Sequence, residues 1–400
     1  MTEMNGKLYA VNFHGPRQEY VLFQYDGGIW VEMSAFPVGG VDYSIANYKG
    51  QIYLGGSDPM FNGEGIVRWD SASNQWLSVG GGMGGGRGGI VHDLEIFQGE
   101  LYAAGSFDSI GGISAKGLAK WNGTRWDSVG NQSQMTPNPF YQSVFLNSLQ
   151  LMNNKLVVGG AFEVAGSQNI ASWDGTAWTG SAANLDQHVQ DMAIFNGDLI
   201  IYGPFIDSIG STPFRQMARW DGTSWHSMGT VASDFVGLRD MLEYNGELYV
   251  VGSYSPINNP SIGGLTFDGI AKWDGTQWHI ITSFKGAGYE LREFNNRLYL
   301  NGQFTSSCNM PMDHVVKLCS HLECQPISGN IYQDDNNNCS SDVGEFPMNQ
   351  QWINVQPGNY SIPTNASGDY STMWSNKGAD YTLTNGSVYD WLRIRKGSKK

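Results

Sequence analysis

Residues 119–130 read AKWNGTRWDSVG, and nearly the same phrase returns three times further along the chain. The later copies are ASWDGTAWTG at 171–180, ARWDGTSWHSMG at 218–229 and AKWDGTQWHIIT at 271–282. A catalytic motif is needed only once in a chain, whereas a phrase that recurs at intervals is typical of a repeat architecture. The phrase therefore predicts how the chain is built before it predicts anything about chemistry.

Two landmarks alternate along the sequence. The first aromatic residue of the phrase, or its counterpart, recurs at intervals of 44 to 53 residues, at Tyr25, Trp69, Trp121, Trp173, Trp220 and Trp273, with Leu318 in a degenerate seventh place. The other landmark is a hairpin signal, written NGKLY at 5, KGQIY at 49, QGELY at 98, NNKLV at 153, NGDLI at 196, NGELY at 245 and NNRLY at 295. Asn-Gly between apolar runs favours a two-residue type I′ turn, because both central residues need a positive φ. Seven repeats of this length predict a propeller or a solenoid.

Each repeat reads as four short strands. In the third repeat the strands are HDLEIF, ELYAAGSF, GLAKW and TRWDSV. Four antiparallel strands per repeat, with no helical pattern between them, indicate a propeller blade. The Asp-Gly-Thr tripeptide supplies the turn between the third and fourth strands, with its Asp accepting backbone N–H bonds and its Gly at positive φ. The flanking Trp pair is expected to pack between neighbouring blades. We predict an all-β chain with a seven-bladed β-propeller over residues 1–325.

Composition agrees with this architecture and excludes some partners. The 400 residues include 53 Gly, 14 Trp and 19 Tyr, and only 15% are charged, which suits short strands joined by tight turns. The formal net charge of -14 argues against a nucleic-acid partner. No run of 18 apolar residues is present, so we expect no membrane span. The opening MTEMNGKLYA lacks the basic and apolar regions of a secretory signal peptide.

The second repeat resembles the kelch repeat. Its sequence IYLGGS…IVRWDSASNQWLSVGGG has Gly55-Gly56 after the second strand, and Trp69 and Trp76 frame the turn. The other repeats resemble a shortened bacterial relative of kelch that ends in WDGTxW. The resemblance implies that the turns joining strands one to two and three to four lie on one face, and all other loops on the opposite face. Only MTEM is left for the first strand of the first repeat, so we expect either a fragment of a longer protein or a ring that closes by packing repeat 1 on repeat 7.

The rhythm stops after LECQP, and we assign residues 326–400 to a second, small β-sandwich domain. A twelve-residue loop there has oxygen-bearing side chains at positions 1, 3, 5, 7, 9 and 12, namely Asp334, Asn336, Asn338, Ser340, Asp342 and Glu345. This is the ligand spacing of an EF-hand loop and predicts calcium binding. The stretch resembles SdrD B-like domains of bacterial surface proteins, which implies the same metal. Position 6 is Cys339 where Gly is usual, and the alternative is an Asn/Asp-rich turn without metal.

The four cysteines all lie in the last quarter of the chain, at Cys308, Cys319, Cys324 and Cys339. No CxxC pair occurs, so disulfides are a better interpretation than a zinc site. Disulfides indicate an oxidising compartment, and we predict a secreted or cell-surface protein. Pairing of Cys319 with Cys324, and of Cys308 with Cys339, is one plausible connectivity, and the others stay open.

Long and irregular loops are predicted on one face, including GGGMGGGRGG, NQSQMTPNPFYQ, FIDSIGSTPFRQ and YSPINNPSIGGLTFDG. Varied loops on a rigid scaffold are where binding usually takes place. Their aromatic residues are candidates to stack on a sugar or a peptide, or alternatively to plug the mouth of the channel: Phe140, Tyr141, Phe235 and Tyr289.

Acidic residues recur near the start of the first strands, at Asp93, Asp191, Asp240 and Glu290, while repeats 2 and 4 carry Ser44 and Ser148 there. First strands line the channel of a propeller, so these acids are placed either to hold a cation or to bond backbone N–H groups of the next blade. The histidines His92 and His188 lie near the same strand starts.

Two functions of different class follow. The favoured prediction is a non-catalytic secreted or cell-surface binding and adhesion protein, with propeller loops that engage a glycan or protein ligand and a sandwich that serves as a calcium-stiffened spacer. The alternative is a hydrolase or lyase acting on polysaccharide, with the acids and His92 or His188 at the channel mouth. The sequence has no GxSxG nucleophile motif and no phosphate-binding Gly loop followed by Lys-Ser/Thr.

Overall fold

The regular elements of the chain are β-strands, apart from a single 3₁₀ turn at Gln132–Gln134 in the part that the structure describes. The computed structural model describes residues 1–14, 19–26, 29–37, 44–57, 65–84, 89–181, 185–209, 212–228, 231–232, 237–253, 261–263, 265–266, 269–306, 315–318, 327–330, 352–356, 360–363, 366–367, 369–372 and 382–385. Phe235, the four cysteines and the predicted calcium ligands lie outside these residues.

Repeats 1 to 5 form five separate four-stranded antiparallel sheets, each with its strands in chain order. The strands are Thr2–Met4, Lys7–His14, Glu19–Asp26 and Ile29–Pro37 in repeat 1; Ser44–Tyr48, Gln51–Gly55, Ile66–Asp70 and Gln75–Ser78 in repeat 2; Ile90–Phe97, Glu100–Ser106, Leu118–Trp121 and Trp126–Ser128 in repeat 3; Phe145–Met152, Lys155–Val164, Ser167–Trp173 and Trp178–Gly180 in repeat 4; and Asp191–Phe195, Asp198–Ile209, Thr212–Trp220 and Trp225–Ser227 in repeat 5.

Repeats 6 and 7 share one six-stranded sheet. The long strand Trp278–Phe294 pairs with repeat 6 over its first part and with repeat 7 over its second part. The other strands of this sheet are Gly237–Tyr244, Glu247–Ser253 and Gly269–Trp273 in repeat 6, and Arg297–Ser306 and Val315–Leu318 in repeat 7. Because of this sharing, the number of separate blades stays a prediction.

All seven hairpin signals form the expected tight turn between the first and second strands. In repeat 1, for example, Met4 pairs with Lys7, and Asn5 and Gly6 between them have φ of 54° and 71°. Both central residues have positive φ in every copy, and the first is Asn5, Lys49, Gln98, Asn153, Asn196, Asn245 and Asn295. The prediction of type I′ turns is confirmed, since only that turn places both residues in the left-handed region.

The turn between the third and fourth strands is built as the repeated phrase predicts. Asp174 Oδ1 accepts hydrogen bonds from the backbone N–H and the hydroxyl of Thr176 and from the N–H of Ala177, each at 2.8 Å. These donors, led by the Ala177 N–H, lower the pKa of Asp174 to about 2. Gly175 has a φ of 102°. Asn122, Asp221 and Asp274 make the same three bonds in their repeats.

The hydrophobic core lies between neighbouring sheets. One buried cluster joins repeats 2 and 3, and further clusters join repeats 3 and 4, 4 and 5, and 5 and 6. The Trp pairs of repeats 3 to 6 lie in or against these clusters, and that of repeat 2 belongs to a cluster that joins repeats 1 and 2. The ring centroids of each pair are 5.2–5.4 Å apart. In repeats 2 and 3 the phrase ends in a glycine whose side-chain space is occupied by the indoles of the next repeat. A Cβ on Gly80 would lie 2.6 Å from Trp121 Cζ3, and one on Gly130 would lie 2.9 Å from Trp178 Nε1.

The sheets form a closed ring within the first compact unit, which comprises Met1–Gln24 and Glu32–Lys317. First strands of successive repeats contact one another in chain order, and Lys7–His14 of repeat 1 contacts Arg297–Ser306 of repeat 7. The Asn12 amide donates to Asn301 Oδ1 at 2.7 Å across this closure, and both side chains are buried. A ring of antiparallel sheets that is closed in this way is a β-propeller, so the predicted fold class is confirmed.

Two short accessory sheets flank the ring. Met83–Gly84, Ser109–Ile110 and Ile113–Ser114 form one of them, and Val231–Ala232, Ser261–Ile262 and Leu265–Thr266 form the other. Each contains the hairpin between the second and third strands of a repeat, and Gly111 or Gly263 lies at its tip. A Cβ on either glycine would lie within 3.0 Å of an indole carbon, 2.9 Å from Trp126 Cδ1 and 2.8 Å from Trp278 Cδ1.

The second compact unit comprises Tyr25–Val31 and Leu318–Lys400. Its described strands are antiparallel: Ile327–Asn330 pairs with Asp369–Thr372, and Trp352–Gln356 lies between Tyr360–Pro363 and Thr382–Asn385. In the part of the chain that the structure describes, no helix has the length and hydrophobicity needed to cross a membrane. The domain boundary at 325/326 and the sandwich assignment stay predictions.

Candidate functional site

Six equivalent positions at the start of the first strands form what we call the inner ring: Ser44, Asp93, Ser148, Asp191, Asp240 and Glu290. In four of these repeats the strand register shifts immediately before this position, so the preceding residue is a β-bulge. A bulge re-aims the side chains beside it, and bulges are frequent near functional sites. The inner ring is therefore the first place to look for chemistry.

Asp93 and Asp240 use both carboxyl oxygens to join neighbouring repeats. Asp93 Oδ1 accepts from the N–H of Leu94 at 2.8 Å, and Asp93 Oδ2 accepts from the N–H of Leu149 in repeat 4 at 2.8 Å. Asp240 repeats the arrangement with Met241 at 2.8 Å and with Leu291 of repeat 7 at 2.5 Å. These two acids therefore link the inner strands of one repeat to the next. This is the predicted alternative in which the acids bond backbone N–H groups of the neighbouring blade.

Serine performs the same task in repeat 2. The N–H of Leu94 in repeat 3 donates to Ser44 Oγ at 3.0 Å, and the Ser44 hydroxyl donates to Asp93 Oδ1 at 3.2 Å. At the closure of the ring, the ammonium group of Met1 forms an ion pair with Glu290. The inner ring is thus a series of contacts between consecutive repeats.

Asp191 departs from this pattern. Its Oδ1 accepts from the N–H of Met192 at 2.8 Å and from the Ser148 hydroxyl at 3.3 Å. Its Oδ2 is buried, and among the described residues no hydrogen-bond donor reaches it. In repeats 2, 3 and 6 the donor is the N–H that follows the next inner-ring residue, which for Asp191 Oδ2 is the N–H of Met241. That N–H donates to Asp240 instead.

Burial raises the pKa of three inner-ring acids, Asp93, Asp191 and Asp240. The pKa of Asp93 rises to about 7 because burial outweighs the bonds from Leu149 and Leu94. Burial likewise raises the pKa of Asp191 to about 7, against the Met192 N–H and the Ser148 hydroxyl. The pKa of Asp240 is also raised, first by burial and then by the charges of Asp191 and Glu290. Near neutral pH the carboxyl groups of Asp93 and Asp191 are therefore partly protonated.

The described residues contain no group of three or more His, Cys, Asp or Glu side chains arranged to hold a metal ion. This includes the inner ring, whose acids face backbone donors. The twelve-residue loop from Asp334 to Glu345 lies outside the described residues, so calcium binding there remains a prediction.

The bulge residues form a second set of equivalent positions. Two of them were singled out in the sequence: His92, whose Nε2 lies 3.0 Å from Ser106 Oγ, and Tyr289, which is 39% exposed. Sequence analysis missed Asn147 and Arg239, which occupy the same place in repeats 4 and 6. Their common signal is that each directly precedes an inner-ring residue.

A compact aromatic site lies where two consecutive loops meet, and we define it by Phe140, Tyr141, Phe145, Gln187 and His188. The Tyr141 ring contacts Phe145 and His188 edge to face, with centroids 5.0 and 5.7 Å away, and Phe145 lies 5.4 Å from His188. Phe140 beside them is 67% exposed. The structure thus brings together three predicted residues, Phe140, Tyr141 and His188, and adds Phe145 and Gln187.

Hydrogen bonds orient the aromatic site. The Tyr141 hydroxyl donates to Gln187 Oε1 at 2.8 Å, and it lies 2.8 Å from His188 Nδ1. Because the hydroxyl has a single proton, His188 Nδ1 carries its own proton in this arrangement and donates it to the Tyr141 oxygen. Burial lowers the pKa of His188, so the imidazole is neutral near pH 7 and its Nε2 is a hydrogen-bond acceptor.

Buried amides fix the loop that carries Phe140 and Tyr141. Asn138 is fully buried; its Oδ1 accepts from the Phe140 N–H at 2.9 Å, and its carbonyl accepts from the Tyr141 N–H at 2.9 Å. Asn138 Nδ2 donates to Asn169 Oδ1 at 3.0 Å, and Asn169 Nδ2 donates to the carbonyl of Leu185 at 2.7 Å. The backbone that carries Phe140 and Tyr141 is therefore fixed by an internal hydrogen-bond network.

No family model matches this sequence, and no curated protein matches it. The kelch and SdrD B-like resemblances therefore stay predictions. Among solved structures, the chain is similar to the WD40 beta propeller domain of Doa1, with 12% identity and a TM-score of 0.42 over 80% of this chain and 90% of that chain. It is also similar to YjhT, with 13% identity and a TM-score of 0.36 over 80% of this chain and 96% of that chain. The fold assignment rests on the sheet order and ring closure described above.

Proposed function

We propose that the chain is a non-catalytic binding protein whose propeller offers the aromatic site to a glycan or protein ligand. The observation that carries the proposal is the exposure of Phe140 beside three rings that are already oriented. Large aromatic rings contribute most of the contact energy at binding sites, and a loop fixed in advance loses little entropy when it binds. Tyr141 and His188 add polar groups that give such a contact direction.

The proposal extends to location and to the C-terminal part of the chain. We place the protein outside the cell or at its surface, with the second domain as a calcium-stiffened spacer. Support for this comes from the sequence alone: the clustered cysteines and the EF-hand spacing between Asp334 and Glu345.

The bonds of the inner ring favour binding over the hydrolase alternative. A glycosidase needs two carboxyl groups that face the substrate, one of them free to transfer a proton. Asp93 and Asp240 engage both oxygens with backbone N–H groups, and the remaining oxygen of Asp191 is buried. The acids therefore serve to connect repeats, and we do not propose a hydrolytic site there.

A glycan array and a peptide library, each probed with the purified full chain in calcium and in EDTA, test the proposal. We expect Phe140→Ala to weaken the strongest hit by about tenfold, because it removes an exposed ring without touching the internal network. Leu151→Ala is the matched control. Leu151 is also an exposed apolar residue, but it lies at the end of the strand Phe145–Met152 that is far from the aromatic site. Release of reducing ends from a polysaccharide would overturn the non-catalytic assignment. An affinity that does not change in Phe140→Ala would show that the ligand does not bind at the aromatic site.

A further inference from the structure

A groove lies beside the outermost strand of repeat 4, separate from the aromatic site. Its volume is about 550 Å³, within the range of sites that hold small molecules. The indoles of Trp173 and Trp178 form its apolar wall, and Asn131, Gln134 and Thr176 provide polar groups. Trp178 is half-buried, whereas the equivalent Trp126, Trp225 and Trp278 are buried.

The hairpin tip that lines this groove carries a side chain, unlike its counterparts in repeats 3 and 6. In repeats 3 and 6 the tip residues Gly111 and Gly263 lie directly against the equivalent indole, at distances that leave no room for a Cβ. The corresponding tip residue of repeat 4 is Ala165, at a φ of 51°. Its Cβ excludes the same close approach, so one edge of the Trp178 indole stays uncovered.

The indole N–H of Trp178 also lacks the carbonyl partner that Trp126 and Trp278 have. Trp126 Nε1 donates to the carbonyl of Val79 at 2.8 Å, and Trp278 Nε1 donates to the carbonyl of Met228 at 2.7 Å. The corresponding carbonyl for Trp178 is that of Val129, which accepts from Gln132 Nε2 at 2.7 Å. No other acceptor for the Trp178 indole occurs within the described ranges of the chain, so a donor is left at the groove.

We infer that this groove binds one or two rings of a neutral saccharide. The lining contains no charged side chain, so it offers no counter-charge for an ionic ligand. An indole face suits the C–H face of a sugar ring, while a free indole N–H and carboxamides suit its hydroxyl groups. An aromatic wall opposite uncharged amides therefore matches a neutral polyol ring better than a peptide or a lipid. This site does not depend on the aromatic site proposed above.

The test uses the full chain labelled with ¹⁵N at the indoles and three neutral probes: methyl β-D-glucoside, methyl α-D-mannoside and N-acetylglucosamine. We expect at least one probe to shift the Trp178 N–H resonance saturably. Trp178→Phe identifies that resonance by its disappearance and keeps an aromatic wall. Calorimetric titration with the same probe should show about tenfold weaker binding for Trp178→Ala and a smaller loss for Gln134→Ala.

Ala177→Arg is designed to block the groove without disturbing the fold. Ala177 lines the groove, and repeat 3 carries Arg125 at the same position of its turn, where the side chain is exposed. We expect this variant to melt like the parent chain and to lose the probe-induced shift, while Tyr141→Ala retains it. Absence of a saturable shift with all three probes would overturn the saccharide site. A shift that survives Ala177→Arg but is lost in Tyr141→Ala would overturn it too, and would support the aromatic site instead.

Discussion

Gly80 of repeat 2 lies directly against the indole of Trp121 in repeat 3, so closely that a Cβ on the glycine would come within 2.6 Å of Trp121 Cζ3. The phrase that repeats along the chain therefore encodes both sides of one contact. In repeats 2 and 3 its Trp pair packs between two sheets, and its final glycine leaves room for the Trp pair of the next repeat. Gly130 has the same relationship to Trp173 and Trp178.

The contact predicts that replacing two glycines of the same backbone conformation by alanine lowers folding stability by different amounts. Gly80 and Gly50 both have a φ of 74°, but nothing lies within 4 Å of a Cβ on Gly50. Gly50→Ala should lower stability by about 1 kcal/mol through left-handed strain alone. Gly80→Ala should cost about 2–4 kcal/mol, because the methyl group also collides with the indoles. Thermal melting of the two variants measures the difference, and equal shifts would contradict the contact.

Ring closure predicts energetic coupling between Asn12 and Asn301. Each single change to Ala leaves a buried polar group without its partner and should cost about 1–3 kcal/mol. The double variant should cost less than the sum, by about 1 kcal/mol, because both partners are then gone. Denaturant unfolding of the four proteins gives the cycle, with the exposed Gln142→Ala as a control. Strict additivity would show that the amides do not interact.

The inner ring predicts unequal effects of the same chemical change. Asp93→Asn removes one of two acceptor oxygens in use, so the N–H of Leu149 loses its bond and stability should fall by about 1–3 kcal/mol. Asp191→Asn keeps the oxygen that Met192 and Ser148 need and should change stability by about 1 kcal/mol or less. Unfolding midpoints at neutral pH compare the two, and a larger loss for Asp191→Asn would refute this description of the ring.

Stability should also depend on pH through Asp191. Its pKa in the folded chain is about 7, above the ordinary value of 3.8, so the folded state binds more protons than the unfolded state between those values. Stability should therefore be greatest below about pH 4 for this group and fall as pH rises through 7. Asp191→Asn removes this contribution. Between about pH 5 and pH 8, the free energy of unfolding of the parent chain should therefore fall relative to that of the variant. A gap that is constant with pH would argue against a raised pKa.

The calcium loop gives a prediction that rests on spacing alone. Calcium should raise the melting temperature of the full chain, and Asp334→Ala should abolish this increase by removing the first ligand of the loop. Asn337→Ala is the matched control, because it changes the same loop at a position that carries no ligand. Calorimetric titration with calcium should show heat of binding for Asn337→Ala and none for Asp334→Ala. Equal behaviour of the two variants would favour a turn without metal.

Local chemistry made much of the propeller predictable. Each Asn-Gly or Lys-Gly pair determines its own turn through φ, and Asp174 needs only the next three residues to form its hydrogen bonds. The Trp pairs are large and regularly spaced, so their place between sheets follows from burial.

Two kinds of feature were not predictable from the sequence. One kind depends on a one-residue shift in strand register, and the other depends on contacts between loops that are distant in the chain. The bulges that select Asn147 and Arg239 are one-residue shifts, which a period of two does not reveal. Tyr141 and His188 lie 47 positions apart and meet only because neighbouring repeats stack side by side. The groove at Trp178 is lined by Ala165, whereas the equivalent tips of repeats 3 and 6 are glycines that lie against an indole.

The bond between Asn12 and Asn301 has a consequence for synthesis on the ribosome. The two residues are 289 positions apart, so at about 5–20 residues per second the second is made roughly 15–60 s after the first. During that time the surface of the first sheet that will contact repeat 7 is exposed to solvent. An exposed sheet surface of this kind can associate with other chains. Nascent chains of this protein should therefore be most vulnerable to aggregation, and most dependent on chaperones, until the seventh repeat emerges.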